Sequence, residues 1–188
     1  MQGGNTEDSQ NRNEVFTIVG LGSSAKDWIP RGHSIGVNDA FRWGKPTDSL
    51  LVCNRPVQFS HERQRTIIES KPKNFYSWKS DWSVWFPNYI RINLVTWYGV
   101  IHPRQIYSAD SGPFIAISLA YTLGAKTIIL YGVDFKNHKV FNESNPYTKK
   151  EVEKYLQLFA ALKEKGCEVF LGASGSAFDN LIPIYEST

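Results

Sequence analysis

The chain has 188 residues, of which 41% are hydrophobic and 21% charged, and a formal net charge of +3. That length buries the core of one ordinary domain but leaves no room for a cofactor domain beside a separate substrate domain. No apolar run reaches the roughly 20 residues of a membrane helix, and the scattered Lys and Arg residues form no basic stripe of the kind nucleic acid needs.

Residues 1–14 are polar and lack the apolar h-region of a signal peptide, so they read as a disordered leader to a cytoplasmic protein. One domain is then expected over residues 15–188. Val15 to Val19 is a β-branched and aromatic run ended by glycine, as in a buried strand, and leads into "GLGSSAKDW". There Ser23 and Ser24 can cap a short helix over Ala25 to Trp28, which Pro30 stops. His33 to Val37 reads as a second strand with Asn38-Asp39 at its carboxyl end, and Ser49 to Cys53 as a third, followed by Asn54. Glu62 to Ser70 is a helix that halts before Pro72.

From Asn74 to Tyr98 the chain is dense in Trp and Tyr, with strands expected at Phe75 to Trp78 and Ile90 to Val95. Trp78, Trp82, Trp85, Tyr89, Trp97 and Tyr98 could pack in the core, stack on sugar rings or bases, or supply an interface for a homo-oligomer. Ser111 to Leu123 opens on Ser-Gly-Pro and closes on Gly124, which marks both ends of a helix, and it is apolar on nearly every side. Thr127 to Tyr131 is the most strand-like run and leads into Gly132-Val-Asp-Phe135. Helical spacing over Thr148 to Lys165 ends at Gly166, and Glu168 to Leu171 is a closing strand. The alternation predicts an α/β fold: an open, mostly parallel Rossmann-like sheet with helices on both faces, binding its ligand at the carboxyl ends of the strands.

On that sheet Gly20, Gly22, Ser23, Asn38, Asn54 and Asp134 emerge on one edge, where each also has an ordinary role as a turn or cap residue. The opening loop matches Gly-x-Gly-x-x-Ala, a dinucleotide fingerprint that would need an acidic ribose partner near the second strand, and Asp39 could serve. Ser111 and Gly112 start a helix whose free N–H groups suit an anion, although Asp110 beside them would repel one. Cys53 and Cys167 have no zinc spacing and read as buried thiols. No histidine pair has metal-ligand spacing and no Asp-x-Asp is present, so neither a metal nor a cofactor is expected.

Several segments, in order, resemble the bacterial sialyltransferases of the Campylobacter type, glycosyltransferase family 42: "IVGLGSSAKDW", "GVNDAF", "VCNRPVQF", "SADSGPFIAISLAYTLGAKTIILYGVDF" and "EVFLGASGSAFDNLIPIYE". They are more loosely similar to MptE-like and motility-accessory-factor domains. The resemblance implies a glycosyltransferase that takes a CMP-linked sugar donor and a glycan acceptor, without metal. It puts Gly20, Gly22 and Ser23 near the phosphate, Asn38 and Asn54 on the ribose and sugar, and Ser111-Gly112 at the helix-end site.

Leu21 stands where that family has an Asn, and Asp110 where it has Thr. The family's long lid after its Gly-Asp-Phe segment, which carries a catalytic histidine and two phosphate-binding tyrosines, corresponds here to "KNHKVFNESNPYTKKEVEKY". His138 could act as the general base and Tyr147 as a phosphate partner, with Tyr155 better explained as helix core. A nucleotide-binding or sequestering module with a reduced lid is the alternative. A third reading is an MptE-like diphosphotransferase, for which Asp39, Asp110 and Asp134 would gather around magnesium.

Overall fold

The computed structural model describes residues 14–109, 111–136 and 146–186, with only the backbone of residues 146 and 147. Its main sheet holds seven strands: β1 (Val15–Val19), β2 (His33–Val37), β3 (Ser49–Leu51), β4 (Asn74–Ser77), β5 (Tyr89–Arg91), β8 (Thr127–Tyr131) and β9 (Glu168–Leu171). They lie in the order β5-β4-β3-β2-β1-β8-β9, and every pair is parallel. A separate parallel pair joins β6 (Leu94–Thr96) to β7 (Ile106–Ser108). The expected strand over Ile90 to Val95 is therefore two strands in two sheets. Ile92 is buried between them, while β7 interrupts its apolar pattern after three residues and gave no readable period.

Among the described residues three α-helices connect the strands: α1 (His61–Glu69), α2 (Gly112–Thr122) and α3 (Pro146–Glu164). Both faces of the sheet are covered, so strand residues are buried on alternate sides. Phe16 and Ile18 of β1 face one core with α2 and α3, whereas Val19 joins Trp28, Ala40, Ile129 and Tyr131 in another. From Phe114 to Ala120 every residue of α2 is buried, as its all-round apolar character predicts. A third cluster, built on Leu50, Phe75, Trp82 and Phe86, anchors the outer strands, with Phe75 and Phe86 stacked at 3.8 Å between centroids.

The chain runs outward from β1 to β5 and then returns to the other side of β1 as β8. That reversal makes the β1–β8 boundary a topological switch point, where open parallel sheets form a crevice at the strands' carboxyl ends.

At the opposite edge Asp48 staples β2 to the start of β4. Its carboxylate accepts from the Ser34 N–H at 3.1 Å, the Ser34 hydroxyl at 2.8 Å and Lys73 Nζ at 2.8 Å. Desolvation raises its pKa, but the bonds from Lys73 and Ser34 outweigh it and hold the carboxyl at about 2. Since the folded value lies below the unfolded one, this stabilisation is present above about pH 4 and is lost as pH falls toward 2. Asp48→Asn should cost about 1 kcal/mol at pH 7, reduced from the full shift by solvent screening, and almost nothing near pH 2. Urea unfolding at the two pH values checks this, and equal losses at both would rule out the charge as the source.

Candidate functional site

The loop after β1 is laced to the turn after β8. Gly20 N–H donates to the Tyr131 carbonyl at 2.7 Å, and Gly22 N–H to the Gly132 carbonyl at 2.9 Å. A side chain at position 20 would strike the Gly132 backbone, with its carbonyl carbon at 2.9 Å, so glycine is required there by close approach. Gly132 itself has φ 68°, in the left-handed region.

Asp134 completes the lacing. Its carboxylate accepts from the Ser24 N–H at 2.9 Å, from the Ser24 hydroxyl and, at 3.3 Å, from the Ser23 hydroxyl. The Ser24 oxygen in turn accepts from Gly132 N–H at 2.8 Å. A Cβ at Gly22 would lie 2.6 Å from Asp134 Cγ, so the second glycine makes room for the carboxylate. This corrects the expected role of the two serines. The short 3-10 turn Ser23–Asp27 has Gly22 at its N-cap and no side-chain cap, because both hydroxyls are drawn to Asp134.

Asn38 follows β2 with φ 54°, a conformation Asn tolerates better than most side chains. Its Oδ1 accepts from Cys53 N–H at 3.2 Å and so ties the end of β2 to the end of β3. Its Nδ2 lies 3.8 Å from where a Cβ on Gly112 would stand, and that Cβ would also meet Val37 Cγ1 at 2.7 Å. The first turn of α2 can sit this close only because residue 112 is glycine. Asn54 is braced through its carbonyl, which accepts from buried Trp82 Nε1 at 2.8 Å.

These ends enclose a cavity of about 380 Å³ lined by Leu21, Gly22, Ser23, Val37, Asn38, Asn54, Ser111, Gly112, Pro113 and residues 132–136. Seven of the expected site residues meet there: Gly22, Ser23, Asn38, Asn54, Ser111, Gly112 and Asp134. Gly20 sits behind them in the loop. A second cavity of about 350 Å³ shares Asn38, Asn54, Ser111 and Gly112, and extends past Cys53, Trp78, Leu94, Val95, Thr96 and Ser108. His138 and Asp110 lie outside the described residues, and Tyr147 is described only as backbone within α3.

Asp39, the candidate ribose partner of a dinucleotide site, is otherwise engaged. It is buried, with both carboxylate oxygens bound by the Arg63 guanidinium and Arg42 Nη1 at 3.6 Å. A carboxylate held this way is a strut between β2 and α1 and does not line the cavity, which removes the support the dinucleotide reading needed. Asp39 and Asp134 are thus committed to different partners, and no three His, Cys, Asp or Glu residues gather among the described residues.

Lys136 escaped the sequence reading. It lines the cavity at the end of the Gly-Val-Asp-Phe turn, half-buried and 3.6 Å from Asp179. Its only signal was its place two residues beyond Asp134. The segment after β9 braces the same turn: Ala177 N–H donates to the Asp134 carbonyl at 2.7 Å, and the Ser176 hydroxyl to the Val133 carbonyl at 3.0 Å. Phe135, at φ 52°, is held in that unusual conformation by edge contacts to Tyr155 and Phe178.

The two thiols differ from each other. Cys167 is buried, whereas Cys53 is half-buried and opens onto the second cavity, which the sequence did not indicate. Desolvation pushes both up to about 12, so neither is a thiolate near neutral pH. The aromatic stretch divides in the same way. Trp82 is core, Trp97 packs edge-on to Tyr107 and Phe114, Tyr98 is exposed, and Trp78 lines the second cavity.

No protein-family model and no curated protein matches the sequence. Solved structures share its fold. The sialyltransferase CstII from Campylobacter jejuni, solved with cytidine-5'-monophosphate, aligns with a TM-score of 0.58 at 12% identity over 92% of this chain and 85% of its own. The monofunctional alpha-2,3-sialyltransferase Cst-I from Campylobacter jejuni aligns at 0.57 and 15% identity, over 93% and 83%. CstII with the substrate analogue CMP-3FNeuAc gives 0.57 at 11% identity, over 92% and 86%. The architecture is therefore the Rossmann-like fold of these sialyltransferases.

Proposed function

We propose that this chain is a glycosyltransferase-like protein that binds a CMP-linked sugar and transfers the sugar to a glycan hydroxyl without a metal. One observation carries the reading: the glycine loop, Asn38, Asn54, the α2 terminus and the Gly-Val-Asp-Phe turn line a single cavity beside the switch point. The fold it shares with enzymes solved with CMP and a CMP-sugar analogue supports it.

In this reading the phosphate lies between the opening loop and the first turn of α2, where the positive end of the helix dipole favours negative charge. Lys136 adds a cation at the same cavity and would stabilise the charge that builds on the leaving phosphate. His138 takes the proton of the acceptor hydroxyl as its oxygen attacks the anomeric carbon, the bond from that carbon to the phosphate oxygen breaks, and CMP departs with the electron pair. Tyr147 donates a hydrogen bond to the departing phosphate. The amides of Asn38 and Asn54 contact ribose and sugar hydroxyls.

Only nine residues, 137–145, separate Lys136 from α3. That short connection favours one second reading, a nucleotide-binding module that holds the donor without transferring it. A thermal-shift series with CMP, CDP, UDP, ADP, ATP and NAD tests both. CMP at 100 times its Kd should stabilise the fold by about 2.7 kcal/mol, and no shift with any nucleotide would sink both readings. Hydrolysis of CMP-sialic acid then separates them: transfer predicts turnover that falls at least about 100-fold in His138→Ala, as loss of a general base does. Binding without turnover would leave the module.

A further inference from the structure

Among the described residues that line the two cavities, Lys136 is the one cation and Asp134 the one carboxylate. Asp134 is spent on Ser23 and Ser24, so an anion in the cavity has Lys136 as its charged partner. A lysine is a poor partner when it is free. Its ammonium rides on a flexible four-carbon stem, and ordering that stem against a ligand gives back part of the attraction.

Lys136 is not free, because Asp179 stands 3.6 Å from its Nζ and both side chains are half-buried. The carboxylate is itself fixed. Its Oδ2, which faces Lys136, accepts from Gly175 N–H at 2.9 Å, and its Oδ1 accepts from Ser176 N–H at 3.1 Å. The loop that carries it is bonded to the turn that carries Lys136. Buried Ser176 donates its hydroxyl to the Val133 carbonyl at 3.0 Å and accepts from Phe178 N–H at 3.2 Å, while Ala177 N–H donates to the Asp134 carbonyl at 2.7 Å. Backbone on both sides therefore sets where the two charges meet.

A carboxylate beside a cation could also repel an anionic ligand. Asp179 lines neither cavity, and two N–H groups already share its charge, so the attraction of the nearer ammonium prevails.

We propose that Asp179 is a positioning residue: it holds the Lys136 ammonium in the cavity wall, so that a phosphate-bearing ligand meets a cation already in place. The inference rests on the cavity being the phosphate site proposed above. Asp179 acts only through Lys136, and its effect on binding should vanish when the lysine is gone.

CMP titration of the wild type, K136M, D179N and the double variant tests this. K136M should weaken Kd about tenfold and D179N about three- to fivefold, with the double variant no weaker than K136M. A D179N loss that persists in the K136M background would mean that Asp179 acts through the loop it braces. Unchanged or tighter binding in D179N would mean that it merely competes with the ligand, and wild-type affinity in K136M that the ammonium does not meet the phosphate. Each of these results would overturn the proposal. NMR of the Lys136 ε-methylene protons gives a readout that needs no ligand: two separate shifts in the wild type, where the ammonium is held, and one averaged shift in D179N. If the wild type does not bind CMP, the nucleotide reading fails and this spectrum alone decides whether Asp179 holds the lysine. If D179N does not fold, the wild-type spectrum decides, because averaged ε-methylene protons there would show that the ammonium is not held.

Discussion

Gly20→Ala is expected to destabilise the protein by about 3 kcal/mol and to lower its Tm by about 6–12 °C. The added methyl would meet the Gly132 backbone, which is not free to withdraw, because Gly20 N–H bonds to the Tyr131 carbonyl and Gly22 N–H to the Gly132 carbonyl. Side chains can rotate away from a bad contact, but two laced backbones can only separate. Gly44→Ala is the control: Gly44 is left-handed, at φ 76°, but a Cβ there meets nothing within 4 Å. It should cost only about 1 kcal/mol of backbone strain. Thermal or urea unfolding compares the two, and a Gly20→Ala loss no larger than that of Gly44→Ala would show that the loop can shift.

Asp134→Ala is expected to cost about 2–4 kcal/mol, since it removes the charged acceptor of three hydrogen bonds and strands the Ser24 N–H. The opening loop should then loosen, so nucleotide affinity falls together with stability. The coupling is what matters. If Asp134→Ala lost nucleotide binding at wild-type stability, the carboxylate would be a ligand contact and the lacing described above would be incidental. Strand direction had placed Asp134 only on the sheet edge where a nucleotide would bind. The structure gives its carboxylate a different first duty, which is to hold Ser23 and Ser24 and so fix the opening loop against the turn after β8.

Most of the fold was legible because its signals are local. The β-branched runs at Val15–Val19 and Thr127–Tyr131, the Ser-Gly-Pro opening of α2 and the glycines after α2 and α3 each declare an element within a few residues. The stretch between β4 and α2 was not legible. Its strands are three residues long, its aromatic residues serve two cores and a cavity, and such short runs carry no measurable period.

The site was legible as a set of loop positions on one sheet edge, since strand direction alone brings Gly22, Asn38, Asn54 and Asp134 to the same side. Which polar groups remain available there was not. Asp39 and Asn38 are neighbours in sequence, and both are common turn residues, yet Arg63 binds Asp39 from 24 positions away while Asn38 lines the cavity. Tyr155 has the spacing of a helix core residue, and its contact with Ser111 spans 44 positions.

The sequence by itself determined the order of strands and helices outside the stretch between β4 and α2, the parallel architecture and the loops that carry the candidate site. These depend on hydrophobic period and turn chemistry within short windows. Only the tertiary structure decided that Asp39 is a strut, that Asp134 laces the glycine loop and that Cys53 and Trp78 line a second cavity. A hydrogen bond between residues distant in the chain leaves no periodic trace, and whether a polar group is spent or free depends on partners that only folding brings within reach.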